Sequence, residues 1–109
     1  MSTLIYANPH TGQRLDDRDS KHSFSDFVQC LSEFTQPGVS LITTMPSGLG
    51  LDFLAEDDGS IWVEFYGDEL QSAFVDLPTA KALLERAWAA QPEQSVRHLF
   101  ADLVQQWEY

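Results

Sequence analysis

The pattern of apolar and polar positions predicts a run of β-strands through the middle of the chain. Apolar residues alternate with other residues over 49–54 and again over 61–66, and this period of two is typical of a half-buried strand. The acidic segment 56–59 lies between them and ends in Asp-Gly, which is a strong hairpin signal. Residues 39–45 are β-branched and apolar, and residues 73–77 alternate again. We therefore expect an antiparallel meander of about four strands.

Three other segments carry apolar residues at steps of three and four, which is the pattern of an amphipathic helix. The first is residues 24–35, where Ser23 and Asp26 have the spacing of a capping box. The second begins at Pro78, because proline suits the first turn of a helix, and the third runs from Pro92 to Trp107. The pattern thus predicts one helix before the meander and two helices after it.

The N-terminal residues predict only short β elements. Residues 3–7 are β-prone, and residues 13–15 are able to pair back as a second short strand. Residues 16–22 are almost entirely charged or polar, so we expect a solvated loop there. The predicted fold is a single α+β domain over residues 1–109, with element order β-α-β-β-β-β-α-α and the helices packed on one face of an antiparallel sheet.

The period of two also assigns side chains to the two faces of the sheet. The helix-facing set is apolar throughout: Leu49, Leu51, Phe53, Ile61, Val63, Phe65, Ala73, Val75 and Leu77. The opposite set mixes large aromatic rings with carboxylates: Asp52, Leu54, Trp62, Glu64, Tyr66, Phe74 and Asp76. Two interpretations of the second face stay open. Either loops or the N-terminal hairpin cover it as a minor core, or it is a binding surface that suits a basic protein partner.

The net charge narrows the classes of partner. The 109 residues include 17 acidic and 6 basic side chains, for a formal net charge of −11. Phosphate backbones and anionic membranes both attract cations, so neither nucleic acid nor a membrane surface is the expected ligand. An acidic protein is instead attracted to a basic partner. No stretch approaches the ~20 apolar residues of a membrane span and no secretory signal opens the chain, so we expect a cytoplasmic location.

Candidate catalytic and metal-binding residues are sparse. Cys30 is the single cysteine, which excludes an internal disulfide, and its place in an amphipathic pattern predicts a small buried residue. His10, His22 and His98 lack the spacing of a metal site, and the acidic turn 56–59 is too short for a calcium loop. The sequence contains no nucleophile elbow, phosphate loop or dinucleotide fingerprint. We therefore expect no catalytic residue, no metal and no cofactor.

Two stretches of the chain resemble a known family. One is the strand-to-helix segment from Phe74 to Trp88, which contains the alanine-rich phrase Thr79–Ala82, and the other is the hairpin from Leu49 to Tyr66. Over about residues 39–90 they resemble the small α+β immunity proteins of bacterial polymorphic-toxin, contact-dependent-inhibition or type VI secretion systems. The resemblance implies a protein that binds and neutralises one toxin domain made by the same cell, without catalytic residues of its own. The family usually ends soon after this helix, whereas Pro92 here opens a further predicted helix.

The resemblance and the charge together predict an immunity-type inhibitor of a basic toxin domain that acts on nucleic acids or nucleotides. We expect a monomer or weak homodimer that binds one partner protein. The predicted partner-binding residues are Asp52, Glu56, Asp57, Asp58, Trp62, Glu64, Tyr66, Asp68, Phe74 and Asp76. Three alternatives stay open: an acidic secretion chaperone with a C-terminal dimer helix, a phage-encoded mimic of nucleic acid, and an enzyme whose carboxylates converge in a deep pocket.

Overall fold

The described part of the chain folds into six antiparallel strands and three helices. The structure is a computed structural model, and it describes residues 2–20, 24–34, 36–45, 48–67, 70–90 and 95–108. In chain order the elements are β1 (Ser2–Asn8), β2 (Gln13–Ser20), α1 (Phe24–Ser32), β3 (Ser40–Thr44), β4 (Gly50–Ala55), β5 (Ile61–Tyr66), β6 (Leu70–Val75), α2 (Leu77–Trp88) and α3 (Val96–Leu99). The predicted α+β class is confirmed.

The sheet is larger than predicted, with six strands in the order β2-β1-β3-β4-β5-β6 in place of about four. The N-terminal hairpin makes the difference, because β1 pairs with β3 and places Ile5 opposite Ile42. Leu4 and Tyr6 of β1 are buried, so this hairpin shares the core of the meander. The pairing joins segments that are distant in sequence, and a local pattern of alternation does not encode it.

The segment predicted as a solvated loop over residues 16–22 forms a strand as far as the structure describes it. β2 runs over Gln13–Ser20 and lies at the edge of the sheet, with β1 as its neighbour. An edge strand faces solvent along one side, so it tolerates charged residues, and those charges oppose edge-to-edge association. The polar composition was therefore a wrong signal of conformation.

The helices pack on one face of the sheet, as predicted. Val63 and Phe65 of β5 are fully buried on that face, and the ring centroids of Phe65 and Phe100 lie 5.0 Å apart. The two longer helices contact each other through Phe27 and Trp88, whose ring centroids are 5.2 Å apart. These contacts place the core between the sheet and the helices, and they leave the other face of the sheet without a helical cover.

The starts and ends of the helices follow local chemistry. At the start of α2 the Asp76 carboxylate accepts a hydrogen bond from the Thr79 amide at 2.9 Å, and Pro78 lies in the first turn. An N-cap of this kind satisfies a backbone donor that the helix itself leaves free. Helix α1 ends at Ser32, short of the predicted end at residue 35, and the capping box at Ser23 lies outside the described residues.

The third helix is much shorter than predicted. Helix α3 covers only Val96–Leu99, whereas the spacing predicted a helix from Pro92 to Trp107, whose first residues lie outside the described chain. Phe100 and Val104 are nevertheless buried, because the turns after α3 keep apolar side chains at inward positions. In this segment the three- and four-residue spacing of apolar residues correctly indicated which of them are buried, but it did not indicate a helix. No helix in the described chain has the length and apolar character needed to cross a membrane.

The C-terminal segment follows the outer edge of β6. The backbone amide of Glu108 donates to the carbonyl of Ser72 at 2.8 Å, and this bond satisfies a group that an edge strand otherwise leaves open. The Trp107 ring packs edge-on against Phe65, and the Arg97 guanidinium lies 5.4 Å from the centre of the same indole. These contacts hold the segment in an extended course beside the sheet, which a continued helix would not allow.

Candidate functional site

The face of the sheet opposite the helices is exposed. We call it the open face, and its residues, of which Ser72 is fully buried, are Ile42, Asp52, Leu54, Trp62, Glu64, Tyr66, Leu70, Ser72 and Phe74. Its large apolar and aromatic members have high exposed fractions: Phe74 51%, Leu70 48%, Tyr66 44%, Ile42 42% and Leu54 39%. The N-terminal hairpin extends the sheet sideways and does not cover this face. Within the described residues, the interpretation of this face as a covered minor core is therefore wrong.

Two carboxylates face each other at the centre of the open face. Asp52 on β4 and Glu64 on β5 are register partners, so their side chains leave the sheet next to each other. The Tyr66 hydroxyl donates to Glu64 Oε2 at 2.7 Å, and the Trp62 indole donates to Glu64 Oε1 at 3.1 Å. These two hydrogen bonds, that of Tyr66 above all, lower the pKa of Glu64. Glu64 is thus an ionised carboxylate held in one orientation.

The pKa of Asp52 is shifted in the opposite direction, upward. Burial first, and the negative charge of Glu64 second, raise the pKa of Asp52 to about 6, against the lowering effect of hydrogen bonds from Tyr66 and from the Thr43 backbone. The pKa of Tyr66 is also raised, first by its hydrogen bond to Glu64, so its hydroxyl keeps its proton at neutral pH. At neutral pH the two facing carboxylates are therefore both mostly ionised, and the charge on Asp52 carries an electrostatic penalty.

No described cation compensates this pair. Arg86 forms a two-pronged ion pair with Asp102, with N–O distances of 2.7 and 3.0 Å. Arg97 donates to the side chain of Gln71 at 3.0 Å. Accordingly, no lysine or arginine contributes to the pKa shifts of Asp52 and Glu64. Among the described side chains, the pair is a concentration of negative charge without a counter-charge.

An apolar strip runs beside the carboxylates. Leu54, Trp62 and Phe74 are register partners across β4, β5 and β6, one row away from Asp52 and Glu64. The rings of Trp62 and Phe74 pack with centroids 4.6 Å apart and a tilt of 58°. Exposed aromatic and aliphatic side chains next to fixed charges are the composition of a protein interface rather than of an ordinary solvated face.

The structure separates the other predicted site residues from the open face. Glu56, Asp57 and Asp58 lie in the turn between β4 and β5, where Asp58 Oδ1 accepts hydrogen bonds from the amide and hydroxyl of Ser60 at 2.9 and 2.6 Å. Asp76, predicted on the aromatic face, is instead the N-cap of α2, because β6 ends one residue earlier. Asp68 lies outside the described residues.

Three members of the open face were missing from the sequence prediction. Leu70 and Ser72 were overlooked because β6 was predicted to begin at Ala73, and its actual start lies three positions earlier. Ile42 was overlooked because no face was assigned to β3. Continuing the alternation of Phe74 backward along the chain would have found the first two.

A cavity at the end of the sheet has different chemistry. It has a volume of about 500 Å³, and Phe74 and Leu103 line it together with Asp58 and Asp76. Hydrogen bonds lower the pKa of both of these carboxyl groups, so neither is a proton donor near neutral pH. The Asp52–Glu64 pair does not line this cavity.

The single cysteine and the metal-ligating side chains are the remaining candidate groups of the described chain. Cys30 is half-buried and packs against the core, and burial raises the pKa of its thiol, which makes it a poor nucleophile. In the described part of the chain, no group of three or more histidine, cysteine or acidic side chains is arranged to hold a metal ion.

Comparison of the chain with protein-family models, curated proteins and solved structures finds no match. The open face itself is therefore the basis for a functional proposal.

Proposed function

We propose that this protein is an immunity-type inhibitor that binds a basic toxin domain through the open face of its sheet. The observation that carries the proposal is the Asp52–Glu64 pair, which lies among exposed apolar side chains and has no described cation beside it. In the unbound protein the charge on Asp52 is destabilising, because burial and Glu64 both disfavour it. In a complex, a cation of the partner compensates that charge and the apolar strip supplies buried area.

The net charge supports a basic partner. A chain with a net charge of −11 is steered toward a positively charged surface, which accelerates association. Domains that act on nucleic acids or nucleotides need positive charge around their substrate cleft. An acidic protein docked over such a cleft blocks it, so steering and inhibition have the same physical origin.

The apolar strip supports a stable complex over a transient electrostatic one. Aromatic residues near the centre of an interface provide most of its binding energy when water is excluded from them. Trp62 and Phe74 are packed on each other, and Tyr66 is fixed by its hydrogen bond to Glu64. A surface that is already ordered loses little conformational entropy when it binds.

The alternatives fit the open face less well. A nucleic-acid mimic needs long rows of carboxylates, whereas the row here reads Asp16, Ile5, Ile42, Asp52, Glu64, Ser72, and two isoleucines separate the first of its three acids from the other two. The alternative of a secretion chaperone, which shares the small size, the acidity and the α+β class, included a long C-terminal dimer helix. The described C-terminal segment has no such helix and packs on its own chain through Trp107.

The proposal is tested by capture and growth rescue. The tagged protein captures its partner from the native bacterium, and the partner is then expressed alone and together with this chain. We expect one basic domain that stops growth by itself and is neutralised by co-expression. Capture of an unfolded effector segment, or of a partner that is harmless when expressed alone, contradicts the proposal.

Charge-matched variants test the surface. Asp52→Asn with Glu64→Gln removes two negative charges from the open face, and Glu33→Gln with Glu85→Gln removes two from exposed positions in and beside the helices. We expect the first double variant to lose growth rescue and the second to keep it. Equal behaviour of the two variants would place the interface elsewhere.

A further inference from the structure

Gly50 lies beside the open face, on the strand that carries Asp52. It is the first residue of β4, and Tyr66 on β5 is its register partner. Alternate residues of a strand point to the same face of a sheet, so a side chain at position 50 would lie on the side of Asp52 and Leu54. The glycine therefore leaves a gap on this side of the sheet, opposite Tyr66.

The backbone conformation does not require a glycine at this position. Gly12, Gly38, Gly48 and Gly59 have φ angles of 74° to 93°, in the left-handed region that favours glycine, whereas Gly50 lies outside that region. A glycine also weakens a strand, and it often marks a point where another group approaches closely. The reason for a glycine at position 50 therefore lies in its neighbours.

Tyr66 is the neighbour that approaches most closely. A Cβ atom built on Gly50 would lie 3.3 Å from the Cβ of Tyr66 and 3.6 Å from its ring carbon Cδ2. The third near atom is the carbonyl oxygen of Thr43 at 3.5 Å, which is an ordinary van der Waals distance. An alanine at position 50 would already press on Tyr66, and a valine would add bulk on the same side. Gly50 thus leaves the space against which the Tyr66 side chain packs.

The course of the Tyr66 ring decides where its hydroxyl lies. The hydroxyl donates to Glu64 Oε2 at 2.7 Å, and its hydrogen bond with Asp52 lowers the pKa of that carboxyl group. Tyr66 is 44% exposed, so the sheet surface beneath the ring has a large share in fixing it. Both carboxylates of the pair thereby depend on the space at Gly50.

We infer that Gly50 is a positioning residue of the binding surface, which gives Tyr66 the space to hold the Asp52–Glu64 pair in the orientation that the partner meets. The inference rests on the proposed function, since it assigns the glycine a role in the surface proposed to bind the toxin domain. Gly50 acts through Tyr66 and does not need to touch the partner. A side chain at position 50 lifts the ring and removes one of the two hydrogen bonds that hold the Glu64 carboxylate.

The first test is the pKa of Glu64 in the full chain, followed by NMR of its carboxyl carbon. The hydrogen bond from Tyr66 is the main cause that lowers this pKa. Tyr66→Phe removes the hydroxyl and keeps the ring, so it sets the full size of the expected rise. We expect Gly50→Val to raise the pKa of Glu64 by a similar amount and Gly50→Ala to raise it by less. An unchanged pKa in both glycine variants would overturn the inference.

A double-mutant cycle separates action through Tyr66 from a general disturbance of the sheet. In the Tyr66→Phe background, Gly50→Val should cause no further rise in the pKa of Glu64. A second rise as large as the first would contradict the inference, because the valine would then act on Glu64 without Tyr66. The same cycle with Gly50→Ala keeps the test decisive if the valine variant does not fold.

The second test is the affinity for the captured partner, measured by titration calorimetry. We expect Gly50→Val to weaken binding about fivefold, as the loss of one preordered side chain does, and Gly50→Ala to weaken it less. In the Tyr66→Phe background the same changes should have little further effect on affinity. An affinity that does not fall although the pKa of Glu64 rises would overturn the role of Gly50 in binding.

The outcomes also separate this inference from the proposed function. If a basic toxin domain is captured and neutralised but the glycine variants change neither the pKa of Glu64 nor the affinity, Gly50 has no positioning role and the inhibitor proposal stands. If the pKa of Glu64 responds through Tyr66 but no toxic partner exists, the link from Gly50 to the carboxylate pair stands and the inhibitor proposal fails.

Discussion

The two faces of one sheet in this protein serve different purposes, and strand β5 presents both. Val63 and Phe65 point toward the helices and are fully buried. Their neighbours Trp62, Glu64 and Tyr66 point the other way, stay partly or largely exposed, and hydrogen-bond to each other. Because alternate residues of a strand belong to opposite faces, sequence neighbours contribute separately to stability and to binding.

The two faces also differ in whether their interactions stabilise the unbound chain. On the helix side, burial of apolar area stabilises the fold at most strand positions, and the buried polar side chains of Thr43 and Gln71 are hydrogen-bonded. On the open face, Asp52 carries a charge that burial and Glu64 both disfavour. Natural proteins tolerate such local conflicts mainly at functional sites, which is the reason to place the function on the open face.

The largest expected effect is on the stability of the helix side. Phe100 is fully buried and packs on Phe65, so Phe100→Ala should lower the free energy of unfolding by about 3–5 kcal/mol. The matched change Phe74→Ala removes the same side chain from the open face, where it is 51% exposed, and should cost much less. Denaturant unfolding of both variants measures the difference, and similar losses would mean that the two faces are not distinct.

The next effect is on binding. Trp62→Ala should weaken binding of the captured partner by about 2 kcal/mol or more, as aromatic residues at interface centres do, while the melting temperature falls less. Tyr66→Ala should behave in the same way, because Tyr66 is 44% exposed and fixes Glu64. Titration calorimetry and thermal melts are the two measurements. Equal losses of affinity and stability would assign both residues to the core.

A smaller effect concerns association kinetics at the β4–β5 turn. Glu56→Lys with Asp57→Lys reverses two charges without touching Asp58, whose carboxylate holds the turn through Ser60. We expect the association rate with a basic partner to fall by about tenfold at low salt, and its salt dependence to weaken, because steering depends on net charge. Stopped-flow measurements over a range of ionic strength check this, and an unchanged rate would contradict steering.

The strand and face assignments of the meander were predictable from the sequence, because they depend only on local periodicity. Leu54, Trp62 and Phe74 share a face in the structure, as the period of two predicted. The two additional strands, β1 and β2, were predictable only in part: residues 3–7 and 13–15 were expected as short β elements, but not as members of this sheet. The pairing of β1 with β3 depends on long-range contacts, and β2 owes its conformation to an edge position and not to its composition.

The chemistry of the candidate site was predictable only in part. The sequence placed Asp52 and Glu64 on one face, but their register and the two hydrogen bonds to Glu64 are three-dimensional facts. For Asp76 the local pattern gave a wrong assignment. Its alternation with the preceding strand residues predicted a place on the open face, whereas it caps the start of α2. The prediction of a long C-terminal helix was wrong for a related reason. Apolar residues at steps of three and four are buried in turns as well as in helices.

The sign of the effect of Asp52 on stability follows from the direction of its pKa shift. Its pKa is raised from 3.8 to about 6 in the folded chain. Between these values the folded state binds more protons than the unfolded state, so this group lowers stability as the pH rises, and the penalty is fully present above about pH 6. Replacing Asp52 by a neutral isostere should therefore stabilise the isolated protein at neutral pH.

The central claim is that the charge on Asp52 costs stability and is retained for binding. Its most direct test compares the free energies of unfolding of Asp52→Asn and the wild type, measured by denaturant at about pH 7.5 and about pH 4.5. We predict that the variant is more stable at the higher pH by about 1–2 kcal/mol, a figure reduced for solvent screening of a half-buried group, and that the gain shrinks at the lower pH. A variant that is less stable than the wild type at the higher pH would contradict the account, because Asp52 would then be a stabilising residue of the fold.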